Sequence, residues 1–262
     1  MTSITQALLD EAVALTRAAG ELTLQWFHEE ELGIEHKGDG TPVTAADRAA
    51  ERFLREQLAA RHPDDAVIGE EEPDSRGSSG RTWIIDPIDG TKAFTHGVPL
   101  YSNLLALYDH EGPAVGVINL PALGETVYAA RGLGCFFDGR PARVSDRPAL
   151  DGGCVCTSGL GTWAPEHLEA VRASGALLRT WGDGYGFALV ATGRAEAMLD
   201  PRVAIWDIAP MPVIISEAGG RFTTVEGDER LTLDGSVPLS GVATNGRVHD
   251  EVLGLFDRSR LS

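Results

Sequence analysis

Apolar residues Ile4, Leu8, Ala12, Leu15, Ala19, Leu22 and Trp26 recur every three or four positions, and this spacing predicts a long amphipathic helix over residues 4–27. Thr2 or Ser3 offers a side-chain oxygen as its N-cap. Gly33, Gly38, Gly40 and Pro42 interrupt the pattern as a loop. A second helical repeat then runs through Ala50, Phe53, Leu54 and Leu58, with Thr44 in front of it as the expected cap. Short apolar runs at 66–68 and 82–85 read as strands, and the Gly- and Ser-containing stretch 73–80 between them suits a hairpin. Runs at 104–108, 114–119, 126–130 and 135–137, divided by Gly, Pro or Asp, predict a mostly antiparallel sheet. Beyond Ser145 the rhythm changes. Strands near Val155, Leu178, Met198, Phe222 and Val242 alternate with helical segments at 165–173, 185–191, 207–218 and 249–256, the pattern of an α/β layer. Gly219 and Gly220 supply the stop for the third of those helices. The chain thus divides into an N-terminal α+β half, 1–145, and a C-terminal α/β half, 146–262, with no long linker between them and an interface expected where they meet.

With 262 residues, 43% hydrophobic and 23% charged, the chain is long enough to bury a core and ordinary enough in composition to exclude a disordered or disulfide-built protein. Its 22 Lys and Arg against 39 Asp and Glu leave a net charge of −17, which argues against nucleic acid or an anionic membrane as a partner. Cys135, Cys154 and Cys156 form no metal-ligand framework and suit a reducing compartment; Cys154 and Cys156 alternate along a strand as core residues. Asp10 and Glu11 stand where a secretory signal needs basic and then apolar residues, and no apolar run reaches membrane-spanning length. A cytoplasmic protein is expected.

The chemistry concentrates in Trp83-Ile84-Ile85-Asp86-Pro87-Ile88-Asp89-Gly90-Thr91, a β-run that ends in two carboxylates around a proline. Pro87 lacks an N–H and Gly90 tolerates unusual dihedrals, so a sharp turn is expected here, with both acids directed into one pocket. Further acids stand at Gly69-Glu70-Glu71, where a strand ends, and at Trp206-Asp207, where a helix begins. Desolvated carboxylates must be paired or metal-bound, and one cation satisfies several. Hard oxygen donors without cysteine, with His96 the only imidazole nearby, select Mg²⁺, or else Mn²⁺, over zinc. His96 itself reads as a surface residue. Trp83 and Trp206 are expected to pack beside the acids and orient them.

These blocks, with Val43-Thr44-Ala45-Ala46-Asp47 before them and Glu217-Ala218-Gly219-Gly220 after, resemble in order and spacing the inositol monophosphatase family of Mg²⁺-dependent, Li⁺-sensitive phosphatases. The resemblance covers nearly the whole chain. It implies a layered α/β/α/β fold of the fructose-1,6-bisphosphatase-like, inositol monophosphatase-like type, with the metal site between the two halves. It also implies that Glu70, Asp86 and the carbonyl of Ile88 hold one Mg²⁺ while Asp86, Asp89 and Asp207 hold a second. Gly90 and Thr91, opening a short helix, would bind phosphate. Glu70 and Thr91 would position the attacking water, with Asp47 accepting a hydrogen bond from the Thr91 hydroxyl. A homodimer is the implied assembly, and a small phosphate ester the implied substrate.

Which ester is a question for other residues. Trp181-Gly182-Asp183-Gly184-Tyr185 resembles the corresponding stretch of the histidinol-phosphate phosphatases of the family, and Thr91-Lys92 is similar to theirs as well. Asp183 would then face the leaving group, and Asp200, seven residues before Asp207, would meet its hydroxyl or amine. A carboxylate gains a charge-assisted hydrogen bond from the ammonium of histidinol phosphate that neutral inositol cannot give. Hydrolysis of L-histidinol phosphate is therefore the leading expectation. The alternatives are inositol-1-phosphate, 3′-phosphoadenosine 5′-phosphate, or a module that binds phosphate without turnover.

Overall fold

The computed structural model describes residues 4–29, 33–36, 38, 42–233 and 239–256. Helix α1, Gln6–Leu24, is capped by Thr5, whose side chain accepts from the Leu8 amide at 3.3 Å. The expected caps Thr2 and Ser3, like Gly40, lie outside the described residues. A short antiparallel pair, β1 (Glu35–His36) and β2 (Pro42–Val43), leads into α2, Ala45–Arg61. Thr44 and Asp47 close a reciprocal cap on α2: Thr44 accepts from the Ala46 and Asp47 amides, and Asp47 accepts from the Thr44 amide.

The first sheet runs in chain order through β3 (Ala66–Gly69), β4 (Thr82–Asp89), β5 (Ser102–Asp109), β6 (Gly112–Leu120), β7 (Glu125–Ala130), β8 (Gly134–Phe137) and β9 (Arg140–Pro141), with helix α3 (Thr91–Thr95) between β4 and β5. From β4 onward every pairing is antiparallel, but β3 and β4 run parallel, so 73–80 is not a hairpin. Parallel neighbours require the chain to travel back to its starting end. It does so against β3 itself: Ser75 bridges to Val67, and a side chain on Gly77 would put its Cβ 2.3 Å from the Ala66 nitrogen.

The second sheet has the order β11–β10–β12–β14–β13, from β10 (Cys154–Cys156), β11 (Leu177–Arg179), β12 (Ala197–Val203), β13 (Arg221–Thr223) and β14 (Leu239–Thr244). Its helices are α4 (Pro165–Ala173), α5 (Asp183–Ala191), α6 (Ile205–Ile208), α7 (Met211–Glu217) and α8 (His249–Gly254). The single helix expected over 207–218 is divided into α6 and α7 at Ala209 and Pro210, because a proline inside a helix has no N–H to give the preceding turn.

Alternation along the strands sorts the layers. Trp83, Ile85, Leu105 and Val117 face α1 and α2, where they meet Leu9, Ala12, Leu54 and Leu58. Ile84, Leu104, Ala106 and Ile118 face the other way, into a core shared with Phe187 and Val190 of α5, Ile214 of α7 and Met198 and Phe222 of the second sheet. Helices α5 and α7 therefore serve both sheets, which gives the layers α/β/α/β. Val171 of α4 and Val252 of α8 cover the outer face of the second sheet with Val155, Leu199 and Trp163.

Candidate active site

Asp86 pairs across the ladder with Leu104 and Asp89 with Ser102, so three steps along β4 are matched by two along β5. Residues three apart on a regular strand face opposite sides; the extra residue of this bulge brings Asp89 round to the side of Asp86. The strand does not turn sharply at Pro87. It bulges, and the reversal waits for Gly90, whose φ of +80° is open to a residue without a Cβ. The bulge is fastened twice: the Pro87 carbonyl accepts from Asn103 Nδ2 of β5 at 2.6 Å, and within β4 the Ile88 amide donates to Asp86 Oδ1 at 3.1 Å.

Helix α6 packs on β4 and brings a third acid, Asp207, whose carboxylate also accepts from the Ala204 amide at 2.7 Å. Asp86, Asp89 and Asp207 each offer an oxygen within 4.8 Å of the other two. Glu70, one residue past β3, shares a hydrogen bond with Asp86. Burial, then repulsion from Glu70, Asp89 and Asp207, holds the Asp86 carboxyl well above the usual carboxylate range. Asp89 is raised by burial and by Asp183 and Asp207, against the hydrogen bonds it accepts from Ser102 Oγ at 2.8 Å and from the Gly184 amide. Asp207 is pushed up to about 7, by burial of its carboxyl first, with Glu70, Asp183 and Asp200 adding. Such a group of oxygen donors, each destabilised by the next, fits a hard divalent cation, which relieves repulsion and desolvation together.

Gly90 caps α3, and Asp183 lies over it: a Cβ on Gly90 would be 2.9 Å from Asp183 Oδ2. Asp183 opens α5 with φ +53°, its amide donating to Ser158 Oγ at 2.7 Å. Ser158 in turn binds Asp200 through its amide at 2.9 Å and its hydroxyl at 2.5 Å, and Thr157 Oγ1 adds a third bond at 3.0 Å. Burial pushes Asp200 up to about 6 against these donors. Gly184 is fixed by proximity, since a side chain there would set its Cβ 2.3 Å from Ser102 Oγ and 3.0 Å from Asp89 Oδ2.

The structure brings Glu70, Asp86, Asp89 and Asp207 together, with Asp183 beside Gly90 and Asp200 linked to Asp183 through Ser158. The expected bond between Thr91 and Asp47 is not made. Thr91 Oγ1 donates instead to the Ile88 carbonyl at 3.0 Å, one turn back, so that carbonyl already carries one donor. Asp47 Oδ2 is occupied by the Thr44 amide and hydroxyl, while Asp47 Oδ1 is buried without a hydrogen-bond partner. Asp47 is pushed up to about 6 by burial, with the Thr44 bonds opposing and Glu70 adding. Trp83 does not orient the acids either: it faces α1 and α2 and donates to Asp65 Oδ2 at 2.9 Å. Trp206 packs, half-buried, on the central core next to Asp207, and exposed His96 bonds the Lys92 carbonyl at 2.7 Å. Ser102, Asn103 and Ser158 escaped the sequence reading. Each is a small polar residue without a spacing pattern, although Ser102-Asn103 at the head of an apolar run is a signal that something polar must be met inside.

Acidic side chains pooled between the first sheet and α6, offering oxygen donors only, define a layered α/β protein with a centre suited to hard divalent cations. The chain belongs to the inositol monophosphatase family, whose family model matches residues 5–260. Among curated relatives it is 42% identical over 251 residues to a histidinol-phosphatase of Mycobacterium tuberculosis, covering 92% of this chain and 95% of that one. It is 40% identical over 256 residues to a histidinol-phosphatase of Chlorobaculum parvum, covering 96% and 98%. Among solved structures, the extragenic suppressor protein suhB of Bartonella henselae superposes with a TM-score of 0.88 at 29% identity over 97% of this chain and 99% of that one. A Thermotoga maritima IMPase gives 0.87 at 30% identity over 98% and 100%.

Proposed function

We propose that this protein is a phosphoric monoester hydrolase that converts L-histidinol phosphate and water into L-histidinol and phosphate, with Mg²⁺ as cofactor. The observation that carries the substrate is the Asp183 carboxylate lying over Gly90, next to the pooled acids, where a cationic leaving group would meet it. The 40% and 42% identical relatives, both histidinol-phosphatases, support the same choice.

In this proposal Glu70, Asp86 and the Ile88 carbonyl would hold one Mg²⁺, and Asp86, Asp89 and Asp207 would hold a second. Bound there, the ions supply positive charge that acidifies water and offsets charge building on the leaving oxygen. Glu70 and the Thr91 hydroxyl orient the water. The amides that open α3 at Gly90 and Thr91 donate to the phosphate oxygens. Asp183 takes the substrate ammonium in a charge-assisted hydrogen bond, and Asp200, steadied by Ser158, takes a neighbouring hydroxyl or amine. Asp47 contributes by closing the α2 cap and adding negative charge beside Glu70. Residues 1–145 thus carry the phosphate end, and 146–262 the recognition residues with Asp207. A cytoplasmic homodimer completes the proposal; no helix among the described residues is long and apolar enough to cross a membrane.

The test is phosphate release with Mg²⁺ from histidinol phosphate, inositol-1-phosphate and 3′-phosphoadenosine 5′-phosphate, each with an EDTA control. Preference for histidinol phosphate, abolished by EDTA, is the expected outcome. Preference for inositol-1-phosphate overturns the substrate and keeps the chemistry; release from none overturns the enzyme.

A further inference from the structure

One turn beyond Asp47, α2 carries a second acid, Glu51, whose side chain is 0% exposed. It does not face the carboxylate cluster directly. Its Oε2 accepts from the Glu71 amide at 2.8 Å, and its Oε1 accepts from the Glu72 amide at 3.1 Å and from Arg55 Nε at 2.8 Å. Arg55 closes the circuit by donating through Nη2 to the Glu72 carbonyl at 2.9 Å. Gly69, the last residue of β3, admits this arrangement because it has no side chain: a Cβ would stand 2.2 Å from Glu51 Oε1 and 2.7 Å from Arg55 Nη2.

A carboxylate taken fully out of water costs several kcal/mol unless donors surround it, and an apolar residue would fill the same helix position without that cost. What the buried acid gains is two consecutive backbone amides held at one point. They follow Glu70 directly, so the backbone on which Glu70 stands is pinned at β3 on one side and at Glu51 on the other. We infer that Glu51, with Arg55, is a positioning residue that fixes the turn Glu70-Glu71-Glu72 and so keeps the Glu70 carboxylate beside Asp86 for a divalent cation. This rests on the metal site proposed above. Glu51 touches neither substrate nor cation; it acts through the main chain.

The test is binding of Mn²⁺ alone, without substrate, followed by the electron paramagnetic resonance of the free ion. Wild type is expected to bind, and Asp86→Asn to lose most of that binding. Glu51→Gln, which puts an amide N–H against existing donors, is expected to bind about 10- to 100-fold more weakly. Arg55→Ala should move in the same direction and Arg55→Lys back towards wild type. In turnover, Glu51→Gln should shift the Mg²⁺ requirement upward and recover kcat at high Mg²⁺, a rescue that general loss of structure does not show. Wild-type Mn²⁺ affinity in folded Glu51→Gln overturns the inference and leaves the metal site standing. Absence of Mn²⁺ binding by the wild type overturns both. If Glu51→Gln does not fold, Arg55→Ala decides alone, and unchanged affinity there overturns the inference.

Discussion

Asp183 holds a left-handed backbone conformation that costs a residue with a Cβ about 1 kcal/mol or more, and it does so at the mouth of α5 with its carboxylate over Gly90. A glycine would sit there without strain, so the carboxylate is what the position retains. Burial keeps that carboxyl above the usual range, Ser158 pulls it back, and Lys92 contributes the opposing charge. Asp183→Asn preserves shape and the backbone bond to Ser158 while removing the charge. A hydrogen bond to a charged group contributes about 1.5–3 kcal/mol, so kcat/KM for histidinol phosphate should fall by about 10- to 100-fold. Turnover of inositol-1-phosphate should change little, and Mn²⁺ affinity should stay near wild type. Equal losses on both substrates would remove Asp183 from substrate recognition.

The bulge in β4 is the element on which the site depends, and it is held by a neighbouring strand as well as by its own Asp86. Asn103 donates to the Pro87 carbonyl and accepts from Asn119 Nδ2 at 3.0 Å, both within the buried sheet. Asn103→Val strands a carbonyl and an amide, each costing about 1–3 kcal/mol when left unpaired inside. The denaturant midpoint should drop by the equivalent of at least about 2 kcal/mol at unchanged slope; an unmoved midpoint would show that the bulge holds itself. This dependence also explains what the sequence could and could not disclose. The run 83–91 announced a strand, a pair of acids and a glycine reversal, because each follows from local preference. The bulge did not announce itself: it exists only against the register of β5, and register is set by partners distant in the chain. The 73–80 segment failed for the same reason, since turn-forming residues are common to a hairpin and to a crossover. Trp83 was misplaced for a simpler one. It stands an odd number of positions from Asp86, so strand parity alone points it away from that acid. The break at Pro210 was legible in its own residue. Glu51, Asn103 and Ser158 show their purpose only once the main chain they hold is in view.

At the scale of the molecule, carboxylates displaced upward by burial link stability to pH and metal. The unfolded chain binds protons with ordinary carboxylate affinity, whereas Asp207 rises to about 7 and Asp47 and Asp200 to about 6 in the folded state. The metal-free fold therefore takes up more protons than the unfolded chain between the usual carboxylate range and these values. Their contribution to stability is full below that range and is lost as pH rises through about 6 to 7. Cation binding needs the ionised forms and replaces the missing protons. Mg²⁺ should accordingly raise Tm more at pH 8 than at pH 5.5, with the difference much reduced in Asp207→Asn; a pH-independent increment would separate these acids from the metal.

Helices α5 and α7 serve both sheets, and the order in which the chain is made gives that arrangement a temporal cost. The first sheet has all its strands once Pro141 has been polymerised, yet the helices that cover its inner face begin at Asp183 and end at Glu217. At about 5–20 residues per second of translation, that face waits several seconds for its cover. A nascent chain leaving the ribosome thus carries a finished but half-bare sheet, and its hazard of sticking to a neighbour is greatest in that interval, before any of the chemistry exists to be lost.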